Sequence, residues 1–309
     1  MSLHPQAQAF VDSIAERNPP AWQELTPDEA RAAFAGLTEL FGTGPDIKRV
    51  EDITLAGDIR ARLYSDVVGQ ASPLVMFFHG GGWVLGSLDT HDAVCRRLAA
   101  MSQCTVISVD YQRSPESPFP GPVDECFRAT AAVVDAAADF AIDAGKIAVA
   151  GDSAGGTLAA AVAIKARDQG GPAIRLQVLI YPVIAPDFET KSYRDYATGH
   201  GLTRATMEYF WRQYLGEQDP RDPNLSSLAV PSRAASHAGL PEAHVITAGY
   251  DVLSNEGEAY AKMLTAAGVT TTTKRYDSML HGFVHFAGFF DTGIEATTEI
   301  AQRIRAKLT

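Results

Sequence analysis

Four nearly unbroken apolar runs constrain this chain more than any other feature: LVMFF at 74–78, TVISV at 105–109, IAVA at 147–150 and LQVLIY at 176–181. A strand with one face in water alternates apolar and polar residues. A strand that does not alternate has both faces covered, as a parallel strand does between two layers of helix. Weaker strand patterns flank these runs, so the full set is Lys48–Leu55, Ile59–Tyr64, Leu74–His79, Thr105–Asp110, Ile147–Ala150, Leu176–Tyr181, Ala243–Ala248 and Thr271–Tyr276. Helical patterns separate most of them, at His91–Met101, Val123–Ala138, Ser153–Arg167, Glu256–Ala267 and Glu295–Lys307. Eight strands alternating with helices predict an α/β, doubly wound, mostly parallel sheet.

Two segments stand outside that rhythm. Residues 1–45 read as a helical arm, with Thr26-Pro27-Asp28-Glu29 carrying an N-cap and a proline at the first helical position. After Tyr181-Pro182 a long stretch passes before the next sheet strand, and it holds the aromatic run MEYFWRQY at 207–214. A connection of that length with its own helical pattern is a lid or cap. The expected organisation is therefore a catalytic core at 46–182 and 237–309, a cap insert at 183–236, and an arm that completes the cap.

Composition narrows the classes of function. The 309 residues are 46% hydrophobic and 20% charged, as in an ordinary globular protein. The net charge of −11 argues against nucleic acid or an anionic membrane surface as a partner. Three cysteines with no CxxC pair fit buried thiols in a reducing compartment. Neither a basic-then-apolar leader nor a run of about 20 apolar residues occurs, so a cytoplasmic protein is expected. No HExxH, phosphate loop or GxGxxG after the first strand is found, so neither metal nor nucleotide cofactor is expected.

The chemistry concentrates in Gly151-Asp152-Ser153-Ala154-Gly155-Gly156, a G-x-S-x-G string between the strand KIAVA and the helix TLAAAVAIKA. A serine on so sharp a strand-to-helix turn sits in strained backbone, which is why glycines must flank it. The helix N-terminus then directs free amides to the place where an oxyanion would form. His79-Gly80-Gly81-Gly82-Trp83 ends the third strand and offers more backbone amides for the same purpose.

A serine nucleophile needs a base and an acid to orient it. Of eight histidines, His281 lies on the loop after the last strand, within reach of the C-terminal edge of the sheet. His285, one helical turn on, suits packing or a solvent-facing position. His79 belongs to the glycine loop and His91 begins a helix. Asp251 ends the strand AHVITAGY, where α/β sheets present ligand groups, and Asp277 is its rival. The chain order Ser153, Asp251, His281 is that of α/β-hydrolases.

Taken together, HGGGW, DYQRSPESPFPGPVDE, GDSAGG, YDVLSNEG and HGF resemble the hormone-sensitive-lipase-like group of α/β-hydrolases, the bacterial family IV esterases, over essentially the whole chain. The sequence departs from the group at Gln112–Glu116, where R-L-A-P-E is usual, and at Asn255, often an aspartate. The resemblance implies Ser153, Asp251 and His281 as the triad, with Gly81, Gly82 and Ala154 supplying the oxyanion-hole amides. It also implies short carboxylic esters as substrates; the edge strand TTTTKRY suits pairing into a homodimer, as relatives often do, and its threonines and lysine equally suit a solvated edge. An amidase or peptidase would use the same triad, and a ligand-binding receptor on this scaffold would lack the histidine. Trp83, Tyr209 and Trp211 are the foremost candidates to line an apolar substrate pocket, beside Phe210 and Tyr214. Aromatic stripes at helical spacing also serve simply to hold an insert to its body, and that alternative stays open.

Overall fold

A computed structural model describes residues 2–309. Eight strands form one sheet: β1 (Arg49–Leu55), β2 (Ile59–Ser65), β3 (Ser72–Phe78), β4 (Thr105–Val109), β5 (Ile142–Asp152), β6 (Ile174–Ile180), β7 (Glu242–Tyr250) and β8 (Thr271–Leu280). Their order is β1-β2-β4-β3-β5-β6-β7-β8. β2 alone points against the other strands, pairing antiparallel with β1 and β4, and every pairing along that order from β4 to β8 is parallel.

The unbroken apolar runs have the cause inferred for them. Every residue of β3 and β4 is buried. Leu74, Met76 and Phe78 enter one apolar cluster, and Val75 and Phe77 enter the other on the opposite face. Ile147 and Val149 alternate with Ala148 and Ala150 in the same way. The α-helices among the described residues are α1 (Pro5–Arg17), α2 (Pro27–Ala35), α3 (Thr38–Phe41), α4 (Asp92–Ser102), α5 (Gly121–Asp135), α6 (Ala154–Gln169), α7 (Lys191–Asp195), α8 (Arg204–Leu215), α9 (Ser254–Ala266) and α10 (Asp291–Leu308). Apolar faces of α5, α6 and α9 cover the first side of the sheet, and those of α4 and α10 cover the second.

All eight expected strands are present, and β5 and β8 run furthest beyond their apolar pattern. β5 begins at Ile142, and β8 continues to Leu280 because Tyr250 still pairs with Leu280 past a register shift. At α2 the expected cap takes the form of a capping box: Thr26 Oγ1 accepts the Glu29 amide at 3.4 Å, and Glu29 Oε2 accepts the Thr26 amide at 3.0 Å. The arm divides its contacts. Phe10 of α1 packs on Phe286, Phe289 and Phe290 near α10, whereas Thr206 of α8 donates to Gln23 just before α2 at 3.0 Å. No helix among the described residues is long and apolar enough to cross a membrane.

Candidate active site

β5 ends at Asp152 and α6 starts at Ala154, so Ser153 alone makes the turn, with φ 54° and ψ −119°. A side chain is rarely tolerated there, and the surroundings hold it in place. The Ser153 amide donates to Ile180 O at 2.8 Å, and its carbonyl accepts the amides of Gly156 (2.9 Å) and Val183 (3.2 Å). Close approach explains the flanking glycines. A Cβ at Gly151 would overlap the Gly155 carbonyl, and one at Gly155 would overlap the carbonyl oxygen of Phe78.

Three sequence-distant side chains converge on this turn. His281, immediately after β8, places Nε2 3.0 Å from Ser153 Oγ and Nδ1 2.8 Å from Asp251 Oδ2. Asp251, immediately after β7, is almost fully buried and accepts the Leu253 amide at 2.9 Å through Oδ1. Its rival Asp277 lies within β8, where it pairs with Arg275. Across the turn, Gly81 and Gly82 take φ values of 110° and 60°. Gly81 O accepts the amides of Val84 (3.1 Å) and Leu85 (2.7 Å), which folds the loop back on itself. The amides of Gly81 and Gly82 donate to no protein group among the described residues. The amide of Ala154, in the first turn of α6, has no intrahelical acceptor.

The aromatic residues divide differently from expectation. Trp83 and Trp211 have no accessible surface. Trp83 stacks on Tyr214 at 4.1 Å and lies 4.9 Å from Trp211, so both tryptophans hold α8 to the glycine loop and present no surface to a ligand. Tyr209 stays half-buried. Phe210 sits where its ring would overlap any Cβ at Gly82, so it packs directly on the loop that carries the free amides. Spacing alone marks Phe210 as one of a buried stripe; its contact with Gly82 is a tertiary fact.

Behind the glycine loop lies a buried group of polar residues whose association the sequence does not reveal. Asp152 Oδ1 accepts the Gly80 amide at 2.9 Å and lies 3.3 Å from His91 Nε2. His91 stacks on His285 at 3.9 Å, and the other face of His285 meets Phe41 at 4.5 Å. His285 is therefore a packing residue. Ligand atoms of His91, Asp152 and His285 come within 4.8 Å of one another, close enough to suggest a metal. Protein groups engage part of this set: His285 Nε2 meets Thr90 O at 2.8 Å, while the Gly80 amide reaches both His91 Nε2 and Asp152.

Burial, reinforced by His91, lowers the pKa of both His79 and His285 from 6.5 to about 3. Burial alone would raise Asp152, yet the neighbouring imidazoles outweigh it and hold the carboxyl at about 2. The unfolded chain thus protonates these two rings below pH 6.5 while the folded chain does not, so stability declines as pH falls toward 3. Glu256, pushed upward by burial, acts in the opposite sense above its ordinary value of 4.5. The steepest loss is therefore expected between pH 4.5 and 3, where unfolding lets both rings and, below 3.8, Asp152 take up protons. Urea midpoints across this range check it, and a flat profile would show that the rings already carry protons in the folded state.

A sequence profile described as the alpha/beta hydrolase fold matches residues 75–285, as the motifs led one to expect. The chain is 40% identical over 266 residues to Esterase LipI of Mycobacterium tuberculosis, covering 84% of this chain and 82% of that one. It is 40% identical over 293 residues to an arylesterase of Saccharolobus solfataricus, covering 92% and 93% respectively. Among solved structures, a hyperthermophilic esterase from the archaeon Pyrobaculum calidifontis superposes with a TM-score of 0.91 at 41% identity, over 99% of both chains.

Proposed function

Because the chain belongs to the alpha/beta hydrolase fold family, we propose that it is a carboxylic ester hydrolase that works through an acyl-serine at Ser153. The observation that carries this reading is the unbroken pair of hydrogen bonds from Asp251 to His281 (2.8 Å) and from His281 to Ser153 (3.0 Å). A carboxylate facing Nδ1 keeps the ring proton there and leaves the lone pair of Nε2 toward the serine hydroxyl. As Ser153 Oγ attacks the ester carbonyl, His281 takes its proton, and Asp251 stabilises the resulting imidazolium. The amides of Gly81, Gly82 and Ala154 meet the developing oxyanion, each worth about 3 kcal/mol of barrier in such sites. The protonated His281 then gives its proton to the departing alcohol. Water activated by the same ring releases the acid and restores Ser153.

In this reading residues 183–236 and the arm form a cap over the core at 46–182 and 237–309. The support is local: Ser153 is only 7% exposed and Phe210 lies on Gly82. The close cover over Ser153 favours short acyl groups. A series of p-nitrophenyl esters from acetate to palmitate tests this, with kcat/KM expected to be highest at butyrate or shorter; a maximum at laurate or longer would indicate a lipase. Pairing of two chains through β8 belongs to the same reading, since β8 has one strand neighbour among the described residues.

A further inference from the structure

The carboxylate immediately before Ser153 takes no part in the steps above, yet it is buried at the elbow and bonded to the opposite loop. Asp152 is 5% exposed, and no Lys or Arg pairs with it. A buried carboxylate is costly to retain unless its hydrogen bonds compensate, so what those bonds hold matters. Asp152 Oδ1 accepts the Gly80 amide at 2.9 Å. Gly80 is the residue directly before the two glycines whose amides have no protein acceptor among the described residues. Contact here is so close that a Cβ at Gly80 would overlap both the carboxylate and the carbonyl oxygen of Asp152. A second layer braces the carboxylate. His91 Nε2 lies 3.3 Å from Oδ1, and His91 Nδ1 is fixed by Thr90 Oγ1 at 2.9 Å. Thr90 Oγ1 in turn accepts the Ser87 amide at 2.9 Å, just beyond the loop.

We propose that Asp152 is a positioning residue: by accepting the Gly80 amide it fixes the His79–Gly80 peptide from which the loop bearing the Gly81 and Gly82 amides starts, and so couples the nucleophile's turn to the loop that stabilises the oxyanion. This rests on the esterase reading above. With the carboxylate gone, the Gly80 amide keeps only its longer bond to His91 Nε2, at 3.3 Å, and the loop turns toward that ring. The amides that follow then move off the oxyanion. Substrate binding is spared because the ground-state carbonyl draws little on those donors.

The test compares Asp152→Ala and Asp152→Asn with the wild type and Ser153→Ala. Hydrolysis of p-nitrophenyl acetate is measured alongside inhibition by phenylboronic acid, whose tetrahedral serine adduct places an oxygen where the oxyanion would sit. Asp152→Ala is expected to lose roughly 10²–10³-fold in kcat with KM within about threefold, the scale of a lost oxyanion donor. Its boronate Ki should rise in parallel. Asp152→Asn keeps an oxygen for the Gly80 amide and is expected to recover at least about tenfold of that loss, a rescue that also serves if the alanine variant folds poorly. Partial unfolding would lower the apparent kcat and leave Ki unchanged, and that pattern would overturn the proposal. So would a kcat within threefold of wild type in Asp152→Ala, or an asparagine variant as slow as the alanine. Ser153→Ala separates the two inferences: if it stays active, the esterase reading itself fails, whatever Asp152 does.

Discussion

Replacing Ser153 by alanine is expected to lower turnover of p-nitrophenyl acetate by on the order of 10⁶-fold while leaving the fold intact. Nothing that shapes the turn depends on the hydroxyl. The backbone bonds from Ser153 to Ile180, Gly156 and Val183 are main-chain bonds, and the glycine contacts at 151 and 155 are unchanged. Alanine at φ 54° bears the same strain as serine, so thermal stability should move little. What disappears is the atom that forms the acyl bond, and His281 then has no proton to take. A residual rate over water should persist from the oxyanion amides and binding alone. For that reason His281→Ala added to Ser153→Ala should cost almost nothing more. Steady-state kinetics with active-site counts check both, and a loss below about a hundredfold would point to a different nucleophile.

Asp251→Asn is expected to reduce kcat by about 10⁴-fold without unfolding the chain, since asparagine fills the same buried volume. The reason lies in proton direction. Asp251 can only accept from His281 Nδ1, at 2.8 Å, while its other oxygen accepts the Leu253 amide. An asparagine that keeps the Leu253 bond turns its NH₂ toward Nδ1. The imidazole then carries its proton on Nε2, pointed at Ser153, and cannot act as a base. Asp277→Asn serves as the control, because Asp277 pairs with Arg275 in β8, and it should leave kcat unchanged. An Asp251→Asn enzyme within tenfold of wild type would remove the acid from this role.

How much of this was legible in the sequence follows from which forces act locally. Central strands could be read because burial on both faces leaves its mark on every residue, as at Leu74–Phe78. The far end of β8 could not, because Asp277 and Ser278 look like turn residues and lie at the register shift, with the strand resumed only where Leu280 pairs with Tyr250. Ser153, Asp251 and His281 were within reach because each follows the end of a strand, and topology brings those ends together. Trp83 and Trp211 show the limit: helical spacing says that a side chain is covered, and only the fold says whether protein or ligand covers it. The contacts of Asp152 with Gly80 and His91 were invisible for a similar reason, since they join residues 72 and 61 positions apart through the packing of β3, β5 and α4.

The central claim, that Ser153 carries the acyl group, is tested most directly by peptide mass after reaction with a fluorophosphonate. One phosphonyl group per chain is expected on the peptide containing Ser153, blocked by prior incubation with ester and absent from the alanine variant. Ester turnover that continues with Ser153 unmodified, or a label on another residue that abolishes it, would contradict the claim.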